Sequence, residues 1–366
     1  MQKLYQIMHK DLPVCEINLK NGSVTIFHDD FLPYGIYLEE SDDFDTRFQN
    51  VDNFYYWCSN RLLTLDRKYA KELLNSIGYM QSVTDRDRAI IALSYHCLNL
   101  TDVFWVKGSH ETISYQSINL YENHLSNAFV DIGLRGKSMT VTNSELIADS
   151  MSTGGCYPKA WFRLQDRFIL YKDGGYDDVI HEVIASELCQ CFSCHQVPYS
   201  LGEYQKTPVS VSPIMTSLEY SIVPMRDFII YAENHDFDYL NFILELDSHS
   251  YYMMNILDYL VGNTDRHWEN WGLLIDNQTN RPIRLHDLMD FNKAFSAYDT
   301  MDGATCLTTK ERQTQKEAAI YAVKQIGLPQ IKEINSNIFR GDKEIERMFF
   351  KRLELLKEYN SLFQKS

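Results

Sequence analysis

An aspartate, an asparagine and a second aspartate follow one another at Asp265, Asn270 and Asp290. The first two lie in GNTDRHWENWGLL, Gly262 to Leu274, and the third in LMDFNKAF, Leu288 to Phe295. This set suits phosphoryl transfer, in which a carboxylate accepts the proton of an attacking hydroxyl while an amide and a second carboxylate hold a divalent cation against the phosphates. On that reading Asp265 is the catalytic acceptor, and Asn270 and Asp290 are the metal ligands. A lone D-x-x-x-x-N is weak, since Asn-Thr-Asp is also good turn chemistry in which Asp265 would cap a short helix. The ordered pair of motifs is the stronger signal.

The flanking patterns predict elements able to position these groups. HSYYMMNILDYLVGN reads as a helix with Tyr252, Ile256, Leu257 and Leu260 on one face, delivering the chain to the loop that carries Asp265. WGLLIDNQTNRPIRLHDL reads as two strands joined by the turn DNQTN, so that Asp290 emerges at a strand end. Helix, loop, hairpin and metal aspartate is the order of a kinase-type C-lobe. The spacing of Asp265 and Asn270 matches the protein-kinase loop HRDxxxxN, and Asp290-Phe291-Asn292 stands where those enzymes carry Asp-Phe-Gly.

A nucleotide lysine is sought upstream. In KAWFRLQDRFILYKDGG, Phe168, Leu170 and Lys172 alternate as in a strand, and Lys172 offers a compact charge for phosphate oxygens. The following DDVIHEVIASELCQCF puts Ile180, Val183, Ile184, Leu188 and Cys191 on a helical stripe. Glu182, near the helix start, is the preferred partner for Lys172, with Glu187 as the alternative. Before the strand, SMSTGGCYPKAW supplies Ser152, Thr153, Gly154 and Gly155, a loop whose backbone N–H groups can approach phosphate. It is neither a Walker A loop nor a GxGxxG loop.

Together these residues make the sequence similar to the HipA-like serine/threonine kinases, a group related to the toxin half of a toxin-antitoxin pair. Their N-x-D-x-H-x-x-N segment corresponds to Asn263, Asp265, His267 and Asn270, their metal aspartate to Asp290 and their strand lysine to Lys172. Their phosphate loop, a serine, a glycine and a lysine, corresponds to Ser152, Gly155 and Lys159. The resemblance implies an α+β, bilobal protein-kinase-like fold, with a small β-rich N-lobe and a helical C-lobe, preceded by an additional N-terminal α/β region. It implies ATP and Mg²⁺ as cofactors, a protein substrate with a Ser or Thr acceptor, and an antitoxin partner. It also implies autophosphorylation at Ser152, with Ser150 and Thr153 as neighbouring candidates. The chain lacks Ala-Pro-Glu after Asp290, and with it the sign of a long phosphorylated activation segment.

Three domains are expected: residues 1–140 as the accessory region, 141–228 as the N-lobe and 229–366 as the C-lobe. In the first, a small β unit turns at Asn21-Gly22, a helix spans Trp57 to Ile77, and LNLTDVFWVKG follows. TPVSVSPIMTS is the strand entering the hinge between lobes, where backbone groups from Ile214 to Thr216, centred on Met215, would contact adenine. The C-lobe adds helices near Thr309 to Ile326 and Lys343 to Phe363. His267 is expected to brace its loop rather than act as acid or base.

Composition fits an enzyme with a large core, at 45% hydrophobic and 13% aromatic residues. The net charge of −15 argues against direct binding of nucleic acid, which demands a basic face, so an antitoxin partner would supply any DNA contact. No run of eighteen apolar residues and no apolar leader is seen, so a cytoplasmic location away from the membrane is expected, export by a signal-less route aside. The eight cysteines lack a disulfide framework and read as reduced thiols. CQCFSCH, Cys189 to His195, contains C-x-x-C-H, but neither haem nor zinc is favoured without an export signal or a second ligand pair. Two other classes remain open: a lipid, sugar or antibiotic kinase, and a nucleotide-binding pseudokinase that sequesters a partner.

Overall fold

The computed structural model describes residues 4–61, 84–93, 95–123, 159–164, 167–204 and 206–365. The proposed phosphate-loop residues Ser152, Thr153, Gly154 and Gly155 lie outside them.

The N-terminal part is built on β1 (Leu4–His9), β2 (Leu12–Asn18), β3 (Val24–Ile26) and β4 (Phe104–Gly108), in the sheet order β3-β2-β1-β4. Alternation along these strands sends Ile7, Cys15, Ile17 and Trp105 into one core. The β2–β3 turn spans the expected Asn21-Gly22, with Gly22 at φ +70° donating its N–H to Asn18 O. Helix α1 is Phe44–Ser59, started by Asp43, whose carboxylate accepts the Thr46 N–H. The helix expected from Trp57 to Ile77 falls mostly outside the described residues, which omit 62–83; its described start, Trp57 to Ser59, is the last turn of α1, which reaches its C-cap at Asn60. Phe54, Trp57 and Cys58 supply the buried face of α1. Short helices α2 (Asp85–Leu93) and α3 (Tyr115–Ile118) complete this layer.

A second four-stranded antiparallel sheet contains β5 (Lys159–Leu164), β6 (Arg167–Lys172), β7 (Ser200–Tyr204) and β8 (Thr207–Pro213), in the order β5-β6-β8-β7. Between β6 and β7 runs α4 (Tyr176–Cys189), whose Val183, Ile184 and Leu188 are buried. A third sheet, β11-β10-β9, joins β9 (Tyr220–Pro224) to the hairpin β10 (Gly272–Asp276) and β11 (Arg281–Leu285).

The remaining helices are α5 (Met225–Asn234), α6 (Tyr239–Val261), α7 (Gln315–Ile326) and α8 (Lys343–Phe363). Helix α6 is two helical pieces joined at Asp247, where φ −156° and ψ 64° break the regular path. The Asp247 carboxylate accepts the Ser250 and Leu285 N–H groups, which restarts the helix and ties it to β11. Burial on nearly every side of its second half, from Tyr251 to Val261, makes it the spine of the larger core. Helix α7 begins later than the expected Thr309, because Thr314 and Glu317 form a reciprocal capping box. Helix α8 matches the expected Lys343 to Phe363.

Candidate active site

Helix α6 ends at Gly262, which takes φ +61° and releases the chain into the loop carrying Asp265. An added Cβ there would lie 2.6 Å from Tyr298, so only glycine fits both the dihedral and the space. The loop is then fixed by a buried cation that the sequence reading passed over. Arg266 donates through Nε and Nη2 to the two oxygens of Asp258 at 2.9 and 3.0 Å, and through Nη1 to Asn270 O at 2.8 Å. Asn263 Nδ2 also donates to Asp258 Oδ1, at 3.0 Å. Burial alone would disfavour the guanidinium charge, but Asp258 outweighs it and holds Arg266 firmly protonated. Adjacent to a motif, an arginine reads from sequence as a solvated charge; only the aspartate two turns back on α6 hinted otherwise.

Asp265 itself is half-buried, with 37% of its side chain exposed. Its pKa is raised by burial, with His267, Lys172 and Arg266 opposing and Asp290 adding to the rise. A carboxylate held toward the basic side of its usual range is the better proton acceptor. His267 Nδ1 accepts the Glu269 N–H at 3.1 Å, so the proton of the neutral ring sits on Nε2, 3.7 Å from Asp265 Oδ1. Asn270 donates from Nδ2 to the Asp265 carbonyl at 2.7 Å, and its Oδ1 receives no hydrogen bond from the described residues. The amide oxygen is thereby left for another donor or a cation.

Lys172, at the end of β6, is only 3% exposed and lies between two carboxylates. Its Nζ is 2.8 Å from Glu182 Oε1 and also contacts Asp290 Oδ1. Burial would drive the ammonium toward neutrality, yet Asp290 and Glu182 together hold its pKa above the ordinary lysine value. Glu182 is fixed in turn by Ser210 Oγ, and Ser210 stands opposite Lys172 in the β6–β8 register. Glu187, the alternative partner, pairs instead with Arg340 at 2.8 Å on the surface. The structure therefore gathers Lys172, Glu182 and Asp290, and the charge of Asp290 is felt at Asp265.

Asp290 and Asn270 offer hard oxygen donors, which suits Mg²⁺. Among the described residues no group of three or more His, Cys, Asp or Glu side chains forms a metal site. A cation here would thus need phosphate oxygens to complete its shell, as Mg²⁺ in nucleotide enzymes commonly does. The thiols of Cys189, Cys191 and Cys194 are free of disulfides.

Met215 lies just beyond β8 and packs against the larger core. The Ile214 N–H is already donated to Phe168 O at 3.1 Å and the Thr216 hydroxyl to Leu100 O. Neither the N–H nor the C=O of Met215 has a partner among the described residues. Of the three expected hinge residues, Ile214 is the one whose N–H is already engaged.

No protein-family model matches the sequence, and no curated protein does. Among solved structures, the HipA of a Shewanella oneidensis MR-1 toxin-antitoxin complex with HipB and operator DNA is similar, with a TM-score of 0.52 at 12% identity, covering 98% of this chain and 95% of that one. The fold is that of a HipA-like kinase. The Helicobacter pylori proinflammatory kinase CtkA matches at a TM-score of 0.44 and 14% identity, covering 57% of this chain and 94% of its own. The HipA match covers the sheet of β1 to β4 as well as the part containing Lys172 and Asp290, in agreement with the expected fold class.

Proposed function

We propose that the protein is an ATP-dependent serine/threonine kinase of HipA type, the catalytic member of a toxin-antitoxin pair. The observation that carries this reading is the convergence of Lys172, Glu182 and Asp290 beside the Asp265–Asn270 loop on a HipA-like fold. Asp265 orients the acceptor hydroxyl and takes its proton late in the transfer, a role that its raised pKa favours. Lys172, kept charged by Glu182, meets the phosphate oxygens. Asn270 Oδ1 and the Asp290 carboxylate hold Mg²⁺, which supplies charge neutralisation on the phosphates when bound. Met215 offers its N–H and C=O to adenine. Ser152, Thr153, Gly154 and Gly155 cover the phosphates, and Ser152 is the autophosphorylation position.

The domain limits proposed are 1–140, 141–228 and 229–366. With a net charge of −15, DNA contact is assigned to a basic antitoxin partner rather than to this chain. No described helix is long and apolar enough to cross a membrane, and the proposed location is cytoplasmic.

The test is incubation of the protein and its Asp265→Ala variant with Mg²⁺ and γ-labelled ATP, followed by intact mass and phosphosite mapping. Phosphate at Ser152 or an adjacent residue in the parent, and none in a variant that still binds nucleotide, is the expected result. Equal labelling of both proteins would remove Asp265 from the chemistry. Nucleotide binding without transfer to any protein acceptor would overturn the protein-kinase assignment.

A further inference from the structure

The peptide unit joining Met289 to Asp290 is held at both ends by side chains from different parts of the fold. Its carbonyl oxygen accepts from Arg266 Nη1 at 2.6 Å, and its N–H donates to the Tyr199 hydroxyl at 3.1 Å. In a trans peptide these two groups point in opposite directions, so the plane cannot rotate about its neighbouring bonds without breaking both contacts. We propose that Tyr199 and Arg266 are positioning residues that clamp this plane and thereby set the direction in which the Asp290 carboxylate faces the metal. The proposal rests on the reading of Asp290 as a metal ligand.

Asp290 shows why a clamp is needed. Its φ is +59°, in the left-handed region that a residue with a Cβ enters at a cost. Such a conformation persists where the surroundings over-determine it. Rotation of the preceding plane would return φ to negative values and swing the side chain away from Lys172. The grips are themselves anchored. Arg266 is tied to Asp258 on α6 and to Asn270 O in the catalytic loop. Tyr199 is buried, and its own N–H is donated to Ser186 Oγ on α4 at 2.9 Å.

Tyr199 also completes a ladder. Leu288 N–H donates to His195 O at 3.0 Å, and Val197 N–H donates to Leu288 O at 2.9 Å, so the strand-like segment before β7 runs beside the chain approaching Asp290. At the next rung the backbone contact is replaced by the tyrosine hydroxyl. A phenylalanine would fill the same space and lack that rung.

Tyr199→Phe is therefore the decisive variant, compared with the parent and with Asp290→Asn. Calorimetric titration with a non-hydrolysable ATP analogue over a range of Mg²⁺ concentrations separates metal-dependent from metal-free affinity. In Tyr199→Phe the Mg²⁺ midpoint should rise about fivefold or more, the worth of one net hydrogen bond, with metal-free affinity unchanged. Hydrogen exchange in the peptide containing Asp290 should accelerate, while the thermal midpoint moves little. A Tyr199→Phe protein with the parent's Mg²⁺ midpoint and exchange rate, beside an Asp290→Asn protein that has lost its metal dependence, overturns the clamp and leaves the ligand assignment intact. An Asp290→Asn protein with undiminished metal dependence overturns the ligand assignment, and the clamp's metal role with it.

Discussion

Lys172→Met isolates the electrostatics at the centre of the site, because methionine nearly matches the lysine stem and removes only the charge. The ammonium stands between Glu182 and Asp290, whose side chains are 1% and 15% exposed. Without it, Glu182 and Asp290 lose the ammonium that lies against both in a poorly solvated space. Breaking a buried pair by deleting one partner costs about 3–5 kcal/mol; at roughly 2–4 °C per kcal/mol for a domain of this size, the melting midpoint should fall by about 10 °C. The loss should depend on pH in a definite sense. In the variant the folded-state pKa of one or both carboxylates rises above the unfolded values of about 4. A raised carboxylate pKa penalises the folded state at higher pH, and the penalty disappears as pH falls through the folded pKa. The gap between variant and parent should thus be wide at pH 8 and narrower at pH 5. Adding Glu182→Gln removes one of the stranded charges and should recover about 1 kcal/mol or more, a clear non-additivity. Urea denaturation of the four proteins of this cycle at both pH values is the assay. A pH-independent loss, additive energies, or a midpoint within about 2 °C of the parent would refute the ammonium as the common counter-ion.

Gly262→Ala should destabilise the chain by about 2–4 kcal/mol, combining left-handed strain with the 2.6 Å approach to Tyr298; urea denaturation measures it, and a change below about 0.5 kcal/mol would show that the loop entry tolerates a Cβ. His9 and His286 predict acid sensitivity, since burial lowers each pKa to about 4. Their neutral forms stabilise the fold fully above the unfolded value of about 6.5, and that stability is lost as pH falls toward 4, by up to about 3 kcal/mol each. His286→Gln should flatten the decline in urea midpoint between pH 6.5 and 4.5, whereas an unchanged slope would show that His286 does not titrate on unfolding.

What the sequence made legible was the part governed by local rules. Asp265, Asn270 and Asp290 announce themselves by residue type and order. The pairing of Lys172 with Glu182 was reachable because a strand followed by an amphipathic helix restricts which carboxylate can turn back; one helical turn further on, Glu187 faces Arg340 instead. Arg266, Ser210 and Tyr199 were not legible. Ser210 and Tyr199 meet partners distant in the chain, Glu182 and Asp290, and no periodicity marks such a pairing. Nor was the start of α1 legible. The run Phe54, Tyr55, Trp57, Cys58 is apolar enough to open a helix or to close one. The cap that decides between them is Asp43, in an acidic stretch that reads as loop.

The N-terminal region is more than a domain tethered ahead of the site. Phe168 of β6 is buried in its core, and Ile214 and Leu218 from the segment after β8 pack against it. Leu100 O accepts from Thr216, and Thr101 O accepts the Ile222 N–H at 2.9 Å. Arg163 of β5 donates to Leu120 O, Tyr121 O and Asn123 O. On the other side, Tyr34 donates to Asn280 O at 2.8 Å in the β10–β11 turn, and Asn280 returns bonds to Asp30 O and Leu32 O. One layer thus grips the sheet that carries Lys172, the connecting segment around Met215, and the hairpin that leads to Asp290. Because buried side-chain bonds to backbone carbonyls are costly to leave unmade, opening between these parts would have to break contacts on the N-terminal layer as well. The same contacts hold Ile214 and Thr216 in place on either side of Met215, whose N–H and C=O have no partner among the described residues. In this chain the N-terminal layer therefore helps to hold the segment around Met215 in place.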